Sequence, residues 1–181
     1  MSDHVLLIGM MGSGKSTTGR LLAGRLGRVF HDSDTEILSK TGMTVPEIFR
    51  RRGEAAFRAE ERAVLASALA SEVPAVIAVA GGAVLDPDSR RRIRQSGAVI
   101  WLRAAPHELA RRLPSGVGRP LLEHDPAGTL RLLDARRRPV YCSLANAVID
   151  VDWIGASVAA DRAQRLANSL LSGALLSGAS A

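Results

Sequence analysis

The segment Gly9-Met10-Met11-Gly12-Ser13-Gly14-Lys15-Ser16 constrains this chain more than any other. It matches G-x-x-x-x-G-K-[ST] in full, follows the apolar run Val5-Leu6-Leu7-Ile8, and precedes a helical pattern reaching about Leu26. A strand, a glycine turn and a helix in that order aim backbone N–H groups and the positive end of the helix dipole at one point. That point is a cradle for phosphate oxygens. Lys15 supplies a compact ammonium for β- and γ-phosphates, and Ser16 a hydroxyl for Mg²⁺. Only Lys15 and Lys40 are lysines among 24 basic residues, so the lysine here is set by geometry rather than by the composition of the chain. Gly12, Ser13, Gly14, Lys15, Ser16 and Thr17 are therefore candidate nucleotide-binding residues for ATP or GTP.

The remaining apolar runs say what this loop is built into. Arg28-Val29-Phe30, Ala75 to Val79, Ala98 to Leu102 and Ala147 to Val151 have strand length, and longer helical patterns separate them. That alternation predicts a parallel α/β sheet. Thr44-Val45-Pro46-Glu47 has capping-box spacing with proline in the first turn and opens a helix through Arg51. Further helices are expected at about 35–39, 54–69, 87–95, 106–112, 126–141 and 157–171. With 181 residues and neither a repeat nor an interdomain linker, one domain over residues 1–171 is expected, followed by a disordered tail over 172–181.

Composition excludes several function classes. One cysteine, Cys142, rules out an internal disulfide framework and a multi-cysteine zinc site. No apolar run approaches the ~20 residues of a spanning helix, so no membrane partner is expected. Met1-Ser2-Asp3-His4 lacks a basic segment before the first apolar stretch, and a cytoplasmic enzyme is the expectation. The net charge of +6 comes from scattered arginines, while aromatics make up only 3%. Stacking platforms for single strands are nearly absent, so no nucleic-acid partner is expected.

Two carboxylates, Asp32 and Asp34, stand two residues apart at the end of the second strand. Asp34 reads either as the cap of a helix beginning at Thr35 or, beside a phosphate loop, as a base or metal-assisting group. Four more segments follow: Arg52-Gly53-Glu54-Ala55-Ala56-Phe57-Arg58-Ala59-Glu60-Glu61, Val79-Ala80-Gly81-Gly82-Ala83-Val84, Gly118-Arg119-Pro120-Leu121-Leu122 and Arg137-Arg138-Pro139-Val140-Tyr141. In this order, from about Val5 to Asp150, they resemble shikimate kinase.

The resemblance implies a three-layer P-loop kinase fold of the nucleoside-monophosphate-kinase type, with a five-stranded parallel sheet ordered 2-3-1-4-5. Substrate-binding helices would span about 33–62 and a lid about 112–124. It implies transfer of the ATP γ-phosphoryl group to the 3-hydroxyl of shikimate, with one Mg²⁺ per subunit, in a monomer. Arg58 and Arg137 would hold the substrate carboxylate with the backbone N–H groups of Gly81 and Gly82. Asp34 would bind the ring hydroxyls and take the proton of the attacking one. Asp32 would act on Mg²⁺ through water, beside Ser16. Arg119 would close over the phosphates, and Arg112 would lie against the adenine.

Alternatives stay open at this level. Arg58 could be a helix-surface arginine paired to Glu54 or Glu61, and Glu61 either orients Arg58 or is a surface charge. Arg136 and Arg138 are expected to be solvated, and Phe49 and Phe57 to be core or pocket wall. Related chemistry includes a kinase for another polyhydroxy acid such as gluconate; a non-catalytic nucleotide-binding regulator is a different class. The chain departs from the family at Ala80, where glycine is usual, and at Val151-Asp152-Trp153-Ile154-Gly155, where arginine and proline are usual. A negative φ at Ala80 is expected; Trp153 would either stack on adenine or close the edge of the core.

Overall fold

The computed structural model describes residues 3–113, 122 and 125–178. Five parallel strands form one sheet: β1 (His4–Ile8), β2 (Val29–Asp32), β3 (Ala75–Ala78), β4 (Gly97–Arg103) and β5 (Ala147–Asp150). Their order is β2-β3-β1-β4-β5, as the resemblance implies. Every residue of β1 is fully buried, which is why that strand reads as an unbroken apolar run rather than an alternating one.

Helices cover both faces. On one side lie α1 (Lys15–Leu26) and α7 (Ala156–Gly178); on the other lie α4 (Pro87–Gln95) and α6 (Pro126–Leu144), with α5 (Pro106–Arg112) packed on α6. A second, smaller core forms where α2 (Ser33–Thr41) packs on α3 (Val45–Leu69), through Ile37, Met43, Ile48, Phe57 and Val64. The rings of Phe49 and Phe57 stand 4.9 Å apart beside it. These two helices project from the carboxyl end of β2, the edge at which open α/β sheets bind ligands.

Three helices depart from the limits expected from the residue pattern. Helix α7 continues to Gly178, so residues 172–178 are helical rather than a disordered tail; the strong helix formers Ala174, Leu175 and Leu176 carry it past Gly173. Helix α6 runs through Pro139 to Leu144 instead of ending near Tyr141. Its buried residues Leu130, Asp134, Arg137, Tyr141 and Leu144 recur at helical spacing on both sides of the proline, so packing outweighs the lost bond. Helix α2 starts at Ser33, and its cap is Asp32, not Asp34.

Candidate active site

The carboxyl ends of β1, β2 and β3 open into one cavity of about 490 Å³. Its wall is formed by the phosphate loop, by Asp32 and Asp34, by Phe49, Phe57, Arg58 and Glu61 of α3, by Ala80-Gly81-Gly82, and by Arg112 and Arg137. Register explains the gathering. Asp32 pairs with Ala78 and β1 runs beside β3, so the three loops leave the sheet side by side.

Gly12 and Gly14 of the phosphate loop take positive φ, 79° and 87°, and Gly14 caps α1. The ammonium of Lys15 donates to the carbonyls of Gly9 and Met10, each at 3.0 Å. Ser13 is buried, and its hydroxyl has no hydrogen-bond partner among the described residues. A loop that buries a donor in this way is shaped for an acceptor that arrives from outside, as phosphate oxygens do.

Asp32 Oδ1 accepts the backbone N–H of Asp34 at 3.1 Å and that of Thr35 at 3.3 Å, which satisfies the start of α2. With Asp32 as the cap, Asp34 sits in the first turn of the helix and faces the same cavity. Ser16 and Asp32 on the cavity wall offer hard oxygen donors of the kind Mg²⁺ takes. Among the described residues no cluster of three His, Cys, Asp or Glu side chains could hold a metal alone. This donor set fits an ion carried largely by phosphates and water.

Gly53 turns the chain within α3, at φ 80° and ψ 172°. A side chain is strained at that φ, so glycine is needed where the helix changes direction. Beyond this kink Arg58 points inward. Its guanidinium bonds Glu54 Oε1 at 2.9 Å and Glu61 Oε2 at 2.5 Å, so the helix pairing and the cavity position hold together. Glu61 is only 3% exposed. Burial pushes its carboxyl above the usual range, and the Arg58 guanidinium opposes that shift.

Arg137 is 2% exposed, and its Nε has no partner among the described residues. Both arginines close on the glycine pair. A Cβ built on Gly81 would lie 3.1 Å from Arg137 Nη1, and one on Gly82 would lie 2.8 Å from Arg58 Cζ. A side chain at 82 would have to displace the Arg58 guanidinium, and one at 81 would crowd Arg137 and the Gly9 carbonyl. Two guanidiniums beside two backbone amides suit a carboxylate.

The family model described as shikimate kinase matches residues 11–167. A shikimate kinase from Thiobacillus denitrificans is 45% identical over 149 residues, covering 82% of this chain and 81% of that protein. One from Symbiobacterium thermophilum is 47% identical over 153 residues, covering 82% and 87%. The chain belongs to the shikimate kinase family. The solved structure of an Acinetobacter baumannii shikimate kinase in complex with shikimate superposes with a TM-score of 0.88 at 36% identity, over 93% of this chain and 94% of that one.

Within this shikimate kinase scaffold the departures at Ala80 and Trp153 have plain structural answers. No described residue other than glycine has positive φ, so Ala80 takes negative φ as expected. Trp153 is 84% exposed and does not close the edge of the core. Arg112 joins the loop that carries it to the phosphate loop: the guanidinium donates to the carbonyls of Val151, Asp152 (3.1 Å) and Gly12 (3.5 Å). Arg136 and Arg138 face solvent, with Arg138 paired to Asp134 at 2.9 Å. Most of the expected lid, Arg119 included, lies outside the described residues.

Tyr141 and Met10 had no role in the sequence reading. Tyr141 donates to the Gly81 carbonyl at 2.9 Å, and Met10 Sδ lies 3.9 Å from both Arg137 Nη1 and the Tyr141 hydroxyl. The available signal was the four-residue interval between Arg137 and Tyr141, which puts both on one helix face. No described helix is long and apolar enough to cross a membrane.

Proposed function

We propose that this chain transfers the γ-phosphoryl group of ATP to the 3-hydroxyl of shikimate. The observation that carries this reading is the convergence of Arg58 and Arg137 on Gly81-Gly82, in the cavity that also holds the phosphate loop. A nucleotide site alone has no use for this second pair of cations, the buried Arg137 and the half-buried Arg58, gathered on the glycine pair. A rigid ring acid does, because its carboxylate docks there and its hydroxyls then reach Asp34.

ATP is bound by the backbone of Gly12, Ser13 and Gly14, with Lys15, Ser16, Thr17 and Arg112 around it. Lys15 moves from the loop carbonyls to the β- and γ-phosphates when the nucleotide enters. Ser16 and, through water, Asp32 would hold one Mg²⁺, which would offset the charge of the phosphates. Asp34 accepts the proton of the 3-hydroxyl as its oxygen bonds to the γ-phosphorus and the bond to the β-phosphate oxygen breaks. Arg119 is assigned the developing charge on the transferred group. Glu61 holds Arg58 toward the substrate by the 2.5 Å ion pair. The enzyme acts as a monomer in the cytoplasm, where ATP is supplied, without nucleic acid or membrane as partner.

The test is ADP release measured over a panel of acceptors: shikimate, quinate, gluconate and nucleoside monophosphates. The reading expects shikimate to be preferred by at least about 10²-fold in kcat/KM, since a site built to pair buried polar groups rejects acceptors that leave them unpaired. Preference for gluconate or a nucleotide would overturn it.

A further inference from the structure

Tyr141 is the sole tyrosine of the sequence and is fully buried. Its ring packs on Trp101, with centroids 5.7 Å apart, and its hydroxyl donates to the Gly81 carbonyl at 2.9 Å. Arg137, one helical turn earlier on α6, reaches the same spot. A Cβ built on Gly81 would lie 3.1 Å from Arg137 Nη1 and 3.3 Å from the Tyr141 hydroxyl. The bond between Gly81 and Gly82 is a trans, planar peptide. Tying its C=O toward α6 therefore turns the N–H of Gly82 the opposite way, away from α6, in the residue that Arg58 approaches.

We infer that Tyr141 is a positioning residue for the acceptor: through the Gly81 carbonyl it fixes the 81–82 peptide, so that the Gly82 N–H meets the substrate carboxylate on the side of Arg58. The inference rests on the shikimate reading above. The phenol serves as a donor and keeps its proton: burial pushes its pKa up to about 12, against the opposing pull of Arg137. Met10 extends the same contact into the phosphate loop, so the two substrate sites share this anchor.

Tyr141→Phe removes the hydroxyl and keeps the ring. Full-length wild-type enzyme is assayed with shikimate first; without turnover there, the substrate reading falls and takes this inference with it. Given turnover, Tyr141→Phe is expected to raise the shikimate KM roughly 5- to 30-fold, the scale of one lost hydrogen bond at a buried site. Its Kd for a non-hydrolysable ATP analogue should stay within about twofold. A shikimate KM within twofold of wild type, or equal weakening of both ligands with a falling Tm, would leave Tyr141 as packing alone and overturn the inference. A second measurement does not depend on the variant folding. Wild-type enzyme carrying 3-fluorotyrosine has one ¹⁹F resonance, at position 141. Saturation with shikimate is expected to move it, and a resonance indifferent to shikimate contradicts the inference.

Discussion

The guanidinium of Arg58 occupies the space that a side chain at position 82 would need, with Arg58 Cζ only 2.8 Å from a Cβ built on Gly82. Glu54 and Glu61 both pair with that guanidinium, so displacing it disturbs two ion pairs. Gly82→Ala is therefore expected to displace Arg58 and raise the shikimate KM about 10- to 100-fold, equivalent to losing one charge-assisted hydrogen bond of about 1.5–3 kcal/mol. ATP affinity should hold within about twofold. Separate titrations of the two substrates check this, and an equal loss of both would contradict it.

Arg137→Ala removes a cation that is buried and whose Nε has no partner among the described residues. A loss of about 1.5–3 kcal/mol in shikimate binding is expected, with ATP spared. Calorimetry with shikimate and ATP decides it. ATP binding that falls while shikimate binding holds would put the carboxylate elsewhere.

Asp34→Asn keeps the size and hydrogen-bonding reach of the side chain in the first turn of α2 but removes its basicity. Shikimate Kd should change by no more than about threefold, while kcat falls by roughly 10²–10⁴, the usual contribution of a general base. A kcat near wild type would remove Asp34 from proton transfer.

Ala80 takes negative φ, so restoring the glycine usual in the family relieves no strain. Ala80→Gly should alter kcat/KM by less than about tenfold and lower stability by about 0.4–1 kcal/mol, through the greater freedom it gives the unfolded chain. Kinetics and thermal melts on the same preparation test both halves. A large gain in kcat/KM would mean that the methyl group obstructs the site.

His4 is fully buried, and its Nδ1 accepts the backbone N–H of Ala75 at 3.1 Å, which places the proton of the neutral ring on Nε2. Burial is the main cause that holds its pKa below 6.5, with nearby His31 and Arg28 lowering it further and the carbonyls of Ser71 and Leu69 opposing. The unfolded chain binds the proton more readily, so this stabilisation is complete above about pH 6.5 and is lost as pH falls through the lower folded value. Tm should decline over that range. The decline should flatten in His4→Asn, whose amide oxygen can still accept from Ala75. An undiminished decline in the variant would assign it to other groups.

Much of this was legible in the residues. The phosphate loop fixed a strand before it and a helix after it, and the resemblance supplied the sheet order. Arg58 was harder, because Glu54 and Glu61 at helical spacing make it look like a surface ion pair. Its place on the cavity wall depends on how α3 packs, which spacing alone does not encode. The run Arg136-Arg137-Arg138 hides one buried cation between two solvated ones. Only the phase shared with Leu130, Tyr141 and Leu144 separates Arg137 from its neighbours. The cap of α2 is Asp32 rather than Asp34 because the helix begins two residues earlier than the pattern suggested. The exposure of Trp153 could not be read from a loop that lacks periodicity.

³¹P NMR of shikimate, ATP and Mg²⁺ with the enzyme observes the transfer directly. One new phosphomonoester resonance, coupled to the ring proton at C3 of shikimate, is expected to grow in step with ADP. ADP accumulating with free phosphate and no phosphomonoester, or a phosphomonoester formed only when another acceptor is present, would contradict it.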